Sequence, residues 1–214
     1  MNCYFYTFGC KVNTCETAGM QSLLQSAGYT VVSQPEEADI FLFNSCTVTA
    51  SGDSRLRHAM RKVRREHPDA LLVLTGCYPQ AYPDEAAAIP EADLVLGTKH
   101  RSRLPGLLAE LCQNHARIAA VDSYGAQDDF EALPCDTMPD NTRAFLKIQD
   151  GCNCFCSYCI IPYARGRCRS LPPEELRKAA AGLLVCGDLD RAFRFAKDYW
   201  VIDGAIAAQN ICLA

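Results

Sequence analysis

Three short β-prone runs, Cys3 to Phe8, Asp39 to Phe43 and Ala70 to Leu74, constrain the fold of this chain most strongly. Each breaks within a few residues into a cysteine: Cys10, Cys46 and Cys77. Helical patterns lie between them. Thr14 to Ala27 carries Met20, Leu23, Leu24 and Ala27 at helical spacing, with Gly28 placed as its C-cap. Ser51 to Glu66 sets Leu56, Met60 and Val63 on one side. Leu94 to Leu96 and Ile118 to Val121 read as further short strands, with a helix from about Arg103 to Leu111 between them. Brief apolar runs alternating with helices predict an α/β fold, an open parallel sheet with flanking helices over residues 1–121.

That topology bears on function. In open parallel sheets, ligands bind outside the C-terminal ends of the strands, and all three cysteines are predicted to stand there. Taken singly, each is equally a small buried residue in a strand-end turn. Their common topological position is what favours a shared site. The chain holds 14 cysteines in 214 residues. Its start, MNCYFYTFGCKVN, lacks the basic opening, apolar run and cleavage site of a signal peptide, and no apolar stretch is long enough to span a membrane. The chain therefore reads as cytoplasmic, where thiols serve metals or redox chemistry rather than disulfides. With 49% hydrophobic and 21% charged residues it is not a disordered chain. A net charge of −4 gives no general nucleic-acid signature, so any RNA contact requires a local basic surface.

Residues 122–142 are acidic, turn-rich and without periodicity, as an interdomain linker would be. Pattern resumes with a predicted strand, Ala144 to Gln149. Directly after it, Cys152, Cys156 and Cys159 form a Cys-x3-Cys-x2-Cys spacing. Three thiolates from one short loop can hold three irons of a four-iron cluster, leaving the fourth open to bind something useful. Zinc is the alternative, with Cys154 or Cys168 as a fourth thiolate.

The loop and the residues after it, IIPYARGR from Ile160 to Arg167, resemble the cluster loop of radical S-adenosylmethionine enzymes. More narrowly, the chain resembles the methylthiotransferase family. Thr7-Phe8-Gly9-Cys10-Lys11-Val12-Asn13 with Glu16-Thr17, then Asn44-Ser45-Cys46-Thr47-Val48-Thr49, then Thr75-Gly76-Cys77-Tyr78-Pro79-Gln80 match that family's N-terminal domain in order and spacing. Gly-Cys-Lys-Val-Asn is similar to the subgroup acting on N6-threonylcarbamoyladenosine in tRNA. The isopentenyladenosine subgroup tends to read Gly-Cys-Gln-Met-Asn, and the ribosomal-protein subgroup Gly-Cys-Pro-Lys-Asn. The resemblance covers about residues 3–170.

It implies a two-cluster enzyme. Cys152, Cys156 and Cys159 would hold a 4Fe-4S cluster whose open iron chelates S-adenosyl-L-methionine and, on reduction, releases a 5′-deoxyadenosyl radical. That radical would abstract hydrogen from carbon 2 of the modified adenosine beside the anticodon. Cys10, Cys46 and Cys77 would hold a second 4Fe-4S cluster carrying the sulfur to be inserted, and a second S-adenosyl-L-methionine would supply the methyl group. Tyr158, between two ligands, would pack near the adenine of the cofactor or simply shield the cluster. The partners implied are tRNA, an electron donor and a sulfur source.

Other features remain open between function and plain structure. Arg57, Arg61, Arg64 and Arg65 share a flank of the Ser51–Glu66 helix, either as phosphate contacts or as a solvated face. Lys11 and Asn13 either orient the cluster loop or satisfy turn backbone. The four histidines, at 58, 67, 100 and 115, show no ligand spacing. Residues 143–170 are read as the start of an incomplete radical-enzyme (β/α) barrel. Residues 171–214 are an atypical tail: it opens on a helix-like LPPEELRKAAAGLLVCG and lacks the family's Gly-Gly-Glu-type segment. The expectation is thus a C-terminally truncated tRNA methylthiotransferase. A non-catalytic iron–sulfur or zinc-binding fragment and a ribosomal-protein methylthiotransferase are the alternatives.

Overall fold

A computed structural model describes residues 1–47, 50–134 and 146–175. The strands of its main body are β1 (Asn2–Thr7), β2 (Thr30–Val31), β3 (Ile40–Ser45), β4 (Leu71–Gly76), β5 (Leu94–Leu96) and β6 (Ile118–Ala120). They form one six-stranded sheet in the order β2-β1-β3-β4-β5-β6, every pairing parallel. The connecting helices are α1 (Lys11–Ser26), α2 (Ala50–Glu66), α3 (Cys77–Ala81), α4 (Pro83–Ala87) and α5 (Leu104–Asn114). The predicted α/β architecture is therefore the observed one. Strand β2 and helices α3 and α4 went unpredicted, because elements of two to five residues are too short to show a period.

The sheet is covered on both faces, which is why β3 is buried at every position instead of alternating with polar residues. Side chains along a strand point alternately to the two faces. Phe41 and Phe43 of β3, with Leu72 and Leu74 of β4, meet Leu56, Met60 and Val63 of α2. Ile40 and Leu42, with Val73 and Leu94, meet Met20 and Leu24 of α1 and Leu104, Leu108 and Leu111 of α5. Each such side chain contributes about 1.5–3 kcal/mol by leaving water. Helix α1 ends as its sequence predicts: Gly28 follows its last turn at positive φ, and Tyr29 N–H closes onto the Leu24 carbonyl.

The buried stripe of α1 changes character along its length. Met20 and Leu24 lie over the apolar sheet face, whereas Asn13, Glu16 and Thr17 are buried towards its N-terminal end. That end sits at the C-terminal edge of the sheet, where a second unit docks. There β7 (Gln149–Asp150) pairs antiparallel with β8 (Arg169–Ser170), and the cysteine loop and helix α6 (Ile161–Arg165) lie between them. The strand predicted at 144–149 is shorter than expected: residues 146–148 are not in a strand, and 144–145 lie outside the described residues. Lys147 turns instead towards Glu16. Helix α6 packs on α3, and Thr98 Oγ1 donates to the Ala164 carbonyl at 2.7 Å. Most of the tail, 176–214, lies outside the described residues.

Candidate functional site

Cys10, Cys46 and Cys77 follow β1, β3 and β4, three adjacent strands whose ends are level. Thr7 pairs with Asn44, Asn44 with Thr75, and Ser45 with Gly76. Parallel strands lie about 4.8 Å apart, so three consecutive strand ends fall within about 10 Å. Cys46 and Cys77 are the next residues beyond a paired row, and their thiols hydrogen-bond; that bond and burial push the Cys77 thiol up. Cys10 is the residue before α1, and Cys77 opens α3.

Two glycines make this convergence possible. Gly9 has φ +104°, and a Cβ there would stand 2.4 Å from Cys46 Cβ and 2.9 Å from Cys46 Sγ. The Cys10 and Cys46 loops are thus in close contact. Gly76 has φ +107°, and its Cβ would fall 2.3 Å from the Ser45 carbonyl oxygen. Only glycine fits either place without strain.

Asn13 ties the loops together. Its Nδ2 donates to the Ser45 carbonyl at 2.8 Å, Asn44 Nδ2 donates to its carbonyl at 2.9 Å, and its Oδ1 accepts from Cys10 Sγ at 3.5 Å. It both satisfies turn backbone and holds the cysteine loops to α1, so the two roles open to it in the sequence coincide. Among the described residues, no three Cys, His, Asp or Glu groups enclose a single metal ion. A multi-iron cluster, whose corners are separate atoms, takes its thiolates more widely spaced. An all-thiol donor set with no carboxylate or imidazole suits iron–sulfur chemistry.

The second triad sits on an exposed loop. Cys152 N–H donates to the Gly166 carbonyl at 3.1 Å and Cys159 N–H to the Cys156 carbonyl at 3.0 Å. Cys154 N–H donates to Cys152 Sγ at 3.5 Å, the kind of amide–sulfur contact that tunes bound clusters. The Cys154 thiol is pushed up by its hydrogen bond with Cys152 and by the charges of Cys152, Cys156 and Cys159. Cys154 thus lies amid the triad. Cys168 N–H is tied to Asn153 Oδ1 at 3.0 Å. Tyr158 is 90% exposed, and Phe155 meets Tyr163 edge-on.

Between the triads lies an ionic network that sequence reasoning missed. Glu16, 2% exposed, accepts from Arg101 Nη1 at 2.5 Å, from Lys147 Nζ at 2.6 Å, and from Arg165 Nη1 and Nη2 at 2.8 and 3.1 Å. Asp150 accepts from Lys147 at 2.6 Å and from Arg165 at 3.1 Å. Burial opposes ionisation of Glu16, yet Arg101, Arg165 and Lys147 hold its carboxyl well below the usual range. Burial likewise opposes ionisation of Asp150, but Lys147 and Arg165 hold it down. Arg165 Nη2 also donates to Asn13 Oδ1 at 3.0 Å, the atom that accepts from Cys10. Glu16 belongs to the family-like motif, and its place on the buried stripe of α1 was the available signal.

The predicted basic flank is largely taken up within the fold. Arg64 donates to the carbonyls of Pro68, Ala70 and Glu91 and pairs with Asp93 at 2.5 Å. Arg57 bonds Tyr78 Oη and pairs with Glu85, while Arg61 pairs with Glu91 at 3.4 Å from an exposed position. Of the histidines, His67 packs against Phe41 with its ring tilted by 48°, and His100 bonds Asp122.

Residues 2–97, the sheet segment bearing the first triad, match the family described as Uncharacterized protein family UPF0004. Beyond it, the chain is similar to curated tRNA methylthiotransferases. It is 42% identical over 183 residues to the threonylcarbamoyladenosine tRNA methylthiotransferase of Bacillus subtilis, covering 86% of this chain and 41% of that protein. It is 38% identical over 176 residues to the Aquifex aeolicus protein of the same name, covering 82% and 43%. A tRNA-2-methylthio-N(6)-dimethylallyladenosine synthase of Ehrlichia canis is 32% identical over 189 residues, covering 86% and 43%. The chain thus spans about two fifths of the length of these relatives. No described helix is long and apolar enough to cross a membrane.

Proposed function

We propose that the chain belongs to a tRNA methylthiotransferase that adds a methylthio group to carbon 2 of N6-threonylcarbamoyladenosine next to the anticodon. In this reading residues 1–121 are the sulfur-donating domain, 122–142 a linker, and 143–170 the opening of the radical domain. Cys10, Cys46 and Cys77 hold one 4Fe-4S cluster, and Cys152, Cys156 and Cys159 hold the other. When bound, the clusters and S-adenosyl-L-methionine supply one-electron reduction, the radical, the sulfur and the methyl group. The observation that carries the reading is the level register of β1, β3 and β4, which brings three cysteines spread over 67 residues to one sheet edge.

The chain's own residues prepare that chemistry. Gly9 and Gly76 admit the close approach of the cysteine turns, and Asn13 fixes them to α1. The exposed ring of Tyr158 offers a face on which the cofactor adenine can stack. The enzyme requires tRNA, an electron donor and a sulfur source, and works in the cytoplasm.

Anaerobic reconstitution with iron and sulfide quantification tests the assignment. About eight irons per chain, falling to about four in both Cys46→Ala and Cys156→Ala, is the expected result. Zinc without iron would overturn it in favour of a non-catalytic binder.

A further inference from the structure

The buried network between the triads is not neutral. Four cations, Arg101, Lys147, Arg165 and Arg169, have side chains between 1% and 16% exposed. They face two buried carboxylates, Glu16 and Asp150. Glu131, half-buried at the rim, accepts from the backbone N–H groups of Arg101 and Ser102. Asp128, paired with Lys99 at 2.7 Å and within reach of the Arg169 charge, and the exposed Asp129 line the same cavity from its outer side; among the buried side chains alone, four cations face two carboxylates. Each cation has a carboxylate neighbour, but two buried carboxylates do not neutralise four buried cations, and uncompensated buried charge is costly, so a counter-anion is called for.

The geometry shows where that anion sits. Arg165 shares the Asn13 Oδ1 acceptor with Cys10. Arg101 reaches Asn44 Oδ1 at 3.3 Å and Thr75 Oγ1 at 3.4 Å, each two residues before a cysteine of the same triad. A four-iron cluster held by three thiolates is a net anion, and reduction adds a further negative charge. We infer that Arg165, seconded by Arg101, is the counter-charge of the cluster at Cys10, Cys46 and Cys77, and sets its reduction potential.

This inference rests on the two-cluster reading proposed above and adds a link between the two units. Arg165 comes from the segment that carries the other triad. The sheet-edge cluster is therefore easy to reduce only while that segment is docked. Arg165 and Arg101 are positioning residues; they act through charge.

Potentiometry monitored by electron paramagnetic resonance tests this in the full chain with Cys152, Cys156 and Cys159 replaced by alanine, so that only the sheet-edge cluster reports. Arg165→Met should weaken reduction about tenfold, a shift of about 59 mV to more negative potential. Arg165→Lys, which keeps the charge although it gives up the two-bond fork, should stay within about threefold of the parent. Glu16→Gln, which removes a negative charge from the same network, should shift the potential the opposite way. If Arg165→Met fails to fold, Lys147→Gln takes its place with the same sign. Opposite signs support the inference, since plain loosening of the structure would move both variants alike. An iron-loaded protein whose variants shift together, or not at all, overturns it alone. A parent protein that binds no iron at the sheet edge overturns the two-cluster reading as well.

Discussion

Glu16 and Arg165 lie 149 residues apart in sequence and meet through hydrogen bonds of 2.8 and 3.1 Å, with neither side chain more than 5% exposed. Desolvating two ions roughly cancels their attraction, so such a pair adds little net stability over an apolar pair of equal volume. What it does confer is geometry: a fork of two bonds fixes α6 against α1 in one orientation.

Removing one partner has a different consequence from replacing both. Glu16→Ala leaves the buried Arg101 without its carboxylate and Arg165 and Lys147 with Asp150 alone, and should cost about 3–5 kcal/mol. Denaturant titration would read this as a lower midpoint. The double variant Glu16→Ala with Arg165→Met should recover part of that loss, because fewer uncompensated charges remain. A double variant whose loss is the plain sum would show that the two side chains do not act as a pair.

The same network predicts acid sensitivity. Glu16 and Asp150 have folded-state pKa values below their unfolded ones. Groups so shifted contribute stability that is fully present above the unfolded values, about 4.3 and 3.9, and is lost as pH falls through the folded ones. Stability should thus hold from neutral pH to about pH 5 and fall below about pH 4. Glu16→Gln should be less stable throughout but flatter on the acid side. Thermal midpoints measured across that range decide it; an acid limb of undiminished slope in Glu16→Gln would place the titrating groups elsewhere.

The sheet was legible because β1, β3 and β4 are continuous apolar runs bounded by glycine or cysteine, and the burial of β3 and β4 on both faces follows from that pattern, while β1 is only half-buried along most of its length. The common position of Cys10, Cys46 and Cys77 was legible for the same reason. The ionic network was not, because Arg101, Lys147, Asp150 and Arg165 come from separate segments and each alone looks like an ordinary surface charge; Glu16, on the buried stripe of α1, was the one member with a signal of its own. Only the fold brings them together. The basic flank of α2 was legible only in part. Its spacing was right, but the acceptors that occupy Arg64, the Ala70 and Glu91 carbonyls and Asp93, lie on loops that helical periodicity cannot see.

Glycine substitutions separate conformational need from mere flexibility. Gly76→Ala would force a Cβ to 2.3 Å from the Ser45 carbonyl at a φ that L-residues avoid. It should destabilise the domain by more than about 1 kcal/mol and roughly halve the iron retained at the sheet edge. Gly106 lies inside α5, and a Cβ added there would meet no atom within 4 Å, so Gly106→Ala should be neutral or stabilising by up to about 1 kcal/mol. Equal losses in the two variants would mean that the Gly76 turn is not strained as described.

The arginines of α2 divide by what they touch, and RNA binding should divide with them. Arg64, with four acceptors within the fold, is a structural cation whose loss takes that donor from the Pro68, Ala70 and Glu91 carbonyls and leaves Asp93 with the Leu72 N–H in place of its ion pair. Arg64→Ala should cost about 1–3 kcal/mol of stability. Arg61 and Arg65 are exposed, and Arg61 holds Glu91 only at 3.4 Å. If tRNA crosses this helix, Arg61→Ala and Arg65→Ala should leave stability within about 0.5 kcal/mol and weaken tRNA binding. Each should also make the salt dependence of binding shallower by a slope of about 0.7–0.9, the signature of one lost phosphate contact. Filter-binding isotherms over a series of salt concentrations measure both. An unchanged slope in the double variant would make this flank a solvated helix face and move the tRNA surface elsewhere on the molecule.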